Sequence, residues 1–331
     1  MEKAFLDFYG VAFSVECPKK FAQWVEHDFG LFLAKTPKEK VFLSFKIVVG
    51  GAPEKHADCE AVFSNAEYAV FDAPGLRLVD FFAEAFAQWD LHKMRLTFFS
   101  AREETAYLKF YAALLTLLGK ELDAREMHRI HCACLSRGRR AAIFLGEAGM
   151  GKTTLALNAL KAPGMKLLSD EIVFVNSGLG ALPFLTRIGI RSHSFAGNFP
   201  KKFLREMTLP NGAKKILVSA EALGGKISGP AKIFKIVLLR RSLSSESYVK
   251  PLSKLSVFWW LFKKSVFGSE LVQEPAYFHF PGAQNGLSML KIYLSRFLLV
   301  LKLCLLRKCV AFYAGTDGEK NLEAVERLLD A

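Results

Sequence analysis

Residues 145–157 read LGEAGMGKTTLAL, a glycine-rich loop running directly into an apolar segment of helical pattern. From Gly146 to Thr153 the stretch satisfies G-x-x-x-x-G-K-[ST] at every fixed position. Gly146, Glu147, Ala148, Gly149, Met150, Gly151, Lys152, Thr153 and Thr154 are therefore the candidate phosphate cradle. Glycines at 146, 149 and 151 let the backbone curl so that successive N–H groups point inward, and the following helix turns its positive end to the same anion. Lys152 is expected to reach the β and γ phosphates of a nucleotide, and the Thr153 hydroxyl to take a Mg²⁺ position. Before the loop, HCACLSRGRRAAIFL reads as two strands joined at Ser136-Arg137-Gly138-Arg139, the second ending at Leu145. After it come a helix over about 153–160, the breaker Pro163-Gly164 and a strand MKLLSDEIVFV. Strand, loop, helix and strand in this order predict an α/β core.

Many proteins share such a loop, so what stands beside it decides its chemistry. Asp170 and Glu171 lie on the strand entered directly after the loop's helix, 18 residues beyond Lys152. A helix of eight to ten residues spans about 12–15 Å, enough to recross the sheet and start a neighbouring strand. That places Asp170 beside the phosphates. Two adjacent carboxylates near a polyphosphate can divide the work, one holding Mg²⁺ and the other accepting a proton from an attacking hydroxyl.

The run GEAGMGKTTLALNAL followed by KLLSDEIVFV resembles the HPr kinase family, which shares a phosphate-loop core with the ATP-dependent phosphoenolpyruvate carboxykinases. The resemblance covers roughly residues 128–176. It implies an α/β fold with a P-loop kinase core, and it implies a histidine on the preceding strand, fifteen residues before the first loop glycine; here that position is His131. It also implies a paired-acid motif after the loop helix, usually Asp-Asp, where this chain has Asp170-Glu171. By that likeness Asp170, His131, Glu171 and Lys152 are the expected catalytic group, ATP the donor, and Thr153, Asp170 and Glu171 the Mg²⁺ ligands. KIFKIVLLRR (232–241) and AFYAGTDGEKNLEAVERLL (311–329) look like the end of such a domain, and the opening FLDFYGVAFSV looks like the N-terminal region of HPr-kinase-related proteins found outside sugar regulation. No EVRGLGIIN-type segment of the bifunctional HPr kinase/phosphorylases is present, so HPr is not the expected acceptor. Arg187 and Arg191, in PFLTRIGIRSHS, are candidate clamps for phosphate or acceptor, because guanidinium groups suit oxyanions.

The rest of the chain sets the surroundings. VFLSFKIVV (41–49) and MRLTFFSA (94–101) are strand-like, AYLKFYAALLTLL (106–118) is helical by spacing, and Gly119 with the polar run KELDAREMHR marks a boundary near 125. Two domains are expected: an N-terminal α+β domain over 1–125, serving substrate or partner binding, and the P-loop domain over 126–331. The formal charge is +13, and it is not shared evenly: residues 1–125 carry 15 Lys/Arg against 18 Asp/Glu, residues 126–331 carry 30 against 14. An anionic partner or a solvated basic surface explains this equally well. No nucleic-acid reader motif accompanies the charge, so nucleic acid is not the expected partner. An oligomer is compatible with the sequence.

Six cysteines show no CxxC pairing, and His131, Cys132 and Cys134 do not supply the four convergent ligands of a zinc site. In an extended segment Cys132 and Cys134 share one face and His131 turns to the other. MEKAFLDFYG is not expected to be a secretory signal, and a cytoplasmic location is expected. LSMLKIYLSRFLLVLKLCLLRKCVAFY (287–313) is very apolar, yet Lys291, Arg296, Lys302, Arg307 and Lys308 interrupt it, so it should not span a bilayer. A buried helix with outward-snorkelling basic side chains is expected, and a helix lying on an anionic membrane surface is the alternative, to which VFWWLFKKSVF (257–267) adds weight. The function these features favour is an ATP-dependent kinase passing the γ-phosphate to a hydroxyl of a peptide, protein or small molecule. The alternative is a non-catalytic nucleotide-binding regulatory module that docks on an anionic membrane or other polyanion.

Overall fold

The computed structural model describes residues 1–37, 39–50, 59–190, 193–208, 212, 214–269, 271–278 and 283–330. The chain divides into two compact units, Met1–Glu121 with Val272–Pro281, and Leu122–Leu271 with Gly282–Ala331.

In the first unit the alternation of VFLSFKIVV becomes a central strand. The strands are β1 (Glu2–Phe8), β2 (Val11–Cys17), β3 (Leu33–Ala34), β4 (Val41–Val49) and β5 (Glu60–Ser64). They continue with β6 (Ala69–Ala73), β7 (Leu76–Asp80), β8 (Phe86–Asp90) and β9 (Arg95–Ser100). They form one sheet in the order β3-β1-β2-β4-β9-β8-β7-β6-β5, parallel only at β2/β4 and β4/β9. Helices α1 (Lys19–Phe29) and α2 (Glu103–Ala124) cover it through rings, Phe110 standing 5.4 Å from Phe21 and 5.0 Å from Phe45 of β4. Gly119 does not stop α2. The helix runs on to Ala124 because its last turn is held from the second unit's own residues: Asp123 is buried between His128 and Arg296.

The second unit carries β10 (Met127–His131), β11 (Ala133–Arg137), β12 (Arg140–Leu145), β13 (Met165–Ser169), β14 (Ile172–Asn176) and β15 (Gly180–Leu182). Then come β16 (Arg187–Ile190), β17 (Leu204–Thr208), β18 (Lys214–Ser219), β19 (Ala231–Arg241), β20 (Tyr248–Pro251) and β21 (Lys308–Ala314). Its helices are α3 (Lys152–Ala159), α4 (His193–Ala196), α5 (Lys254–Leu261), continued by one π turn over Phe262–Val266, α7 (Ala283–Leu306) and α8 (Gly318–Asp330); the short α6 (Pro275–Phe278) belongs to the first unit. The main sheet has the order β10-β14-β15-β19-β12-β11-β13, with β21 parallel to β19 and β20 paired to β21. Strands β12, β19 and β21 are parallel neighbours. A separate small sheet has the order β16-β18-β17.

The ends of that strand order are joined. His131 pairs with Ile172, the Cys132 N–H donates to the Glu171 carbonyl at 3.1 Å, and Cys134 pairs with Ser169. Each step along 127–134 is matched by one step back along 176–169. Residues 127–137 and 165–176 thus form one continuous antiparallel ladder with a bend at Asp170-Glu171, and the sheet closes on itself. MKLLSDEIVFV is accordingly two strands of one course, broken at the acids. The expected neighbouring strand is also displaced: β13 pairs with β11, so one antiparallel strand separates it from the loop-bearing β12.

Strand alternation gives this sheet two apolar faces. Ala142 and Phe144 pack with Leu155 and Leu157 of α3 and with Val325 and Leu328 of α8. Ala141, Ile143 and Leu145 turn the other way, toward Val257 and Leu261 of α5 and Leu299, Val300 and Leu303 of α7. Cys132 and Cys134 share this second face, as extended geometry requires, and burial pushes both thiols well up from their ordinary value. Helix α7 is pinned by a buried polar cluster: Arg296 donates to both Asp123 oxygens, at 3.2 and 2.5 Å, and His128 lies 2.8 Å from Asp123 and 2.7 Å from the Ser295 hydroxyl. Among the described residues no helix is long and apolar enough to cross a membrane.

Candidate functional site

Leu145 ends β12, the backbone leaves the sheet at buried Gly146, and α3 begins at Lys152. Gly149 (φ +81°) and Gly151 (φ +91°) both take left-handed backbone, which a side chain would strain. These two residues set the curl. Gly151 caps α3, no described side chain caps its first turn, and that turn holds no acid, so its N–H groups are placed to receive an external anion. Lys152 is buried, and its Nζ donates to the Gly146 carbonyl at 2.6 Å and the Glu147 carbonyl at 3.3 Å. The ammonium is therefore folded across the mouth of the loop.

Across from the loop stands the ladder's bend. Thr153 Oγ1 donates to Asp170 Oδ2 at 3.1 Å, and the other oxygen, Oδ1, is buried with no hydrogen-bond partner among the described residues. Burial first, and the neighbouring charge of Glu171 second, raise the Asp170 carboxyl to about 7; the Thr153 hydrogen bond and the charges of Lys215 and Lys152 oppose the rise. The two acids separate here. Asp170 is buried, Glu171 is exposed and takes part in the ladder through its backbone carbonyl.

Two cavities flank the loop. One, of about 560 Å³, is lined by Lys152, Thr153, Gly189, Phe195, Lys215 and Arg241 among others. The second, of about 410 Å³, lies between α3 and the end of β21, with Asn158, Ser242, Thr316 and Asn321 on its walls. Arg241 borders both, and its Nη2 donates to the Gly149 carbonyl at 2.8 Å. Glu147, at the loop's rim, pairs with Lys264 at 3.0 Å.

No family model matches this chain, and no curated protein matches it. Among solved structures it is similar to the Hpr(Ser) kinase/phosphatase from Coxiella burnetii, at 12% identity over 38% of this chain and 77% of that one, with a TM-score of 0.22. So slight a likeness carries no argument about the site, and the functional reading rests on the geometry.

That geometry brings together Gly146, Gly149, Gly151, Lys152, Thr153 and Asp170. His131 closes β10 one residue before the bend, and alternation sets it on the face of Ala133 and Leu135, the side on which α3 packs. Arg187 opens β16 opposite Ser219 and does not line either cavity, whereas Gly189, two residues on, does. Arg191 lies outside the described residues. Three cations emerge only in the structure: Lys215, Arg241 and Lys264. Arg241 ends β19, the parallel neighbour of β12, and the carboxyl ends of parallel strands are where α/β sheets hold ligands. That signal was available in KIFKIVLLRR. Nothing in the sequence marks Lys215.

The residues present fit a magnesium ion. A threonine hydroxyl and a carboxylate with one unsatisfied buried oxygen are hard oxygen donors, and Mg²⁺ is usually held by one or two protein oxygens together with water and phosphate.

Proposed function

We propose that the second unit is an ATP-dependent phosphotransferase acting on a hydroxyl. The contact between Thr153 and Asp170 carries this reading, because it sets a buried, proton-accepting carboxylate directly beside a phosphate loop. The loop N–H groups and Lys152 bind the β and γ phosphates, and Arg241 lies where it braces the loop from the side. The cavity beside α8 suits the nucleoside, and the larger one, with Lys215, suits the acceptor. Thr153 and the Oδ2 side of Asp170 would hold Mg²⁺, with Glu171 adjoining. Bound there, the ion supplies charge neutralisation at the phosphates.

In transfer, the acceptor oxygen forms its bond to the γ phosphorus as the bond to the β–γ bridging oxygen breaks, and the hydroxyl proton passes to Asp170 Oδ1. Oδ1 is suited to this because, with Oδ2 turned to Thr153, it makes no hydrogen bond to any described residue. His131, on the same side of the sheet, is assigned to steadying transferred charge.

The test is release of labelled γ-phosphate from Mg-ATP to a peptide, metabolite or lysate pool. Asp170→Asn is expected to abolish transfer while ATP still binds; undiminished transfer would overturn the base assignment. A second reading is a nucleotide switch without transfer, favoured by the Glu147–Lys264 pair that ties the loop to the π turn. Tight ATP binding with no acceptor phosphorylated by the wild-type protein would decide for it.

A further inference from the structure

Helix α7 is apolar on two sides. Ile292, Leu299, Leu303 and Cys304 face inward and are buried. On the opposite side Leu287, Leu290, Leu294, Leu298 and Leu305 are each more than half exposed. Their spacing of three, four, four and seven makes one stripe, about 27 Å long at 1.5 Å per residue. A surface helix ordinarily turns polar residues outward, so this stripe is out of keeping with exposure to water alone.

The stripe continues onto the neighbouring helix. Phe258 and Phe262 pack on Phe297 at 6.0 and 6.1 Å, so α5 and α7 lie side by side over the same sheet face and their outer surfaces look the same way. In α5 the inward pair is Val257 and Leu261; Leu255 and Trp259 are on the outer side, and Phe267 follows the π turn, all three more than half exposed. Among these apolar residues stand exposed Lys254, Lys263, Lys291 and Lys302. No acid occurs in 247–269 or in 283–316.

We propose that the outer face of α5 and α7 docks on the surface of an anionic phospholipid bilayer. Leucines and aromatic rings entering the acyl boundary, with lysines level with the headgroups, are the arrangement an interfacial helix requires. Trp259 sits among them, as tryptophan does at membrane interfaces. The helix lies on the bilayer and does not cross it, since among the described residues none is long and apolar enough to span. A second copy of the chain fits the face poorly. It would set lysine against lysine, with no carboxylate on either helix to pair them. Anionic headgroups supply the missing charge. This inference is independent of the phosphotransfer reading, because it concerns a different face and needs no nucleotide.

The test is flotation of the full chain, without nucleotide, with vesicles of phosphatidylcholine alone or phosphatidylcholine with phosphatidylserine. Binding is expected to the serine-containing vesicles only, falling as salt is raised, with a blue shift in tryptophan fluorescence that Trp259→Phe reduces. Leu290→Ser/Leu294→Ser/Leu298→Ser should lower partitioning about tenfold or more, and Lys263→Glu/Lys291→Glu should remove the preference for phosphatidylserine. These side chains are exposed, so unchanged circular dichroism and melting temperature separate lost docking from lost folding. Failure of the wild-type protein to float with either vesicle would overturn the proposal. So would a concentration-dependent dimer, seen by sedimentation and abolished by the leucine substitutions, in a protein that does not float.

Discussion

Lys215 lies across Gly189 on the adjacent strand, so close that a Cβ placed on Gly189 would run into the lysine Cε. The glycine is the floor on which the ammonium reaches the larger cavity. Gly189→Val should push the lysine aside at little cost to folding, because the displaced atoms are the flexible end of a long side chain. Phosphotransfer is expected to fall at least about tenfold, through a weaker acceptor KM or slower turnover, with ATP affinity unchanged by calorimetry. Equal losses in ATP affinity would move Lys215 to the nucleotide side.

The Asp170 carboxyl makes stability depend on pH in a defined direction. Its folded value of about 7 lies above the ordinary range near 4, so between these values the folded state binds the extra proton. The stabilisation is complete below about pH 4 and is lost as the pH rises through about 7. Without Mg²⁺ or nucleotide, Asp170→Asn should therefore be more stable than wild type at pH 8, by on the order of 1–4 kcal/mol, and differ little at pH 4. Thermal melts in chelator at the two pH values check this.

Lys152→Ala removes the charge that closes the loop and leaves the buried Gly146 carbonyl without its 2.6 Å donor. Nucleotide affinity should drop at least about tenfold, while folding loses only on the order of 1 kcal/mol, the usual cost of one such bond. Calorimetric titration with ATP and a denaturant melt separate the two effects.

Arg296→Met strands the Asp123 carboxylate. Against burial, which raises it, Arg296 and His128 hold that carboxyl below its ordinary value, so removing the guanidinium leaves a buried charge short of partners. The variant should lose about 3–5 kcal/mol, measured by denaturant unfolding, because breaking one side of a buried pair is strongly destabilising. The wild-type contribution of Asp123 is present above pH 4 and disappears as the pH falls below it, the opposite sign to Asp170.

What the sequence disclosed, it disclosed through short-range pattern. The glycine loop between β12 and α3, the turn at Gly138 and a helix within a residue of its observed start follow from glycine placement and apolar spacing, and the mixed α/β architecture follows from them. The helix through Gly119 did not follow, because the contacts that hold its last turn come from His128 and Arg296, the latter more than 170 residues away. For the same reason Lys215 was silent: it lines the cavity from a separate small sheet, some 60 residues beyond the loop, whereas Arg241 stands at the end of a strand parallel to β12 and could be read from KIFKIVLLRR. The apolar run of 287–313, with its interrupting lysines and arginines, indicated a buried helix but not that the outer face of α7 would remain apolar in the open, since leucine fills both faces.

The closed ladder has a consequence for how the protein breathes. Residues 127–137 and 165–176 are bonded to each other along their length, while the loop and α3 lie between them in the chain. The ladder supplies β13, which follows α3, and borders β12, which delivers the loop, so opening it loosens the loop's supports on both sides. A nucleotide that holds the loop therefore should slow amide exchange as far away as Met127 and Asn176, residues that contribute nothing to the cradle. Exchange protection at that distant rung would follow loop occupancy.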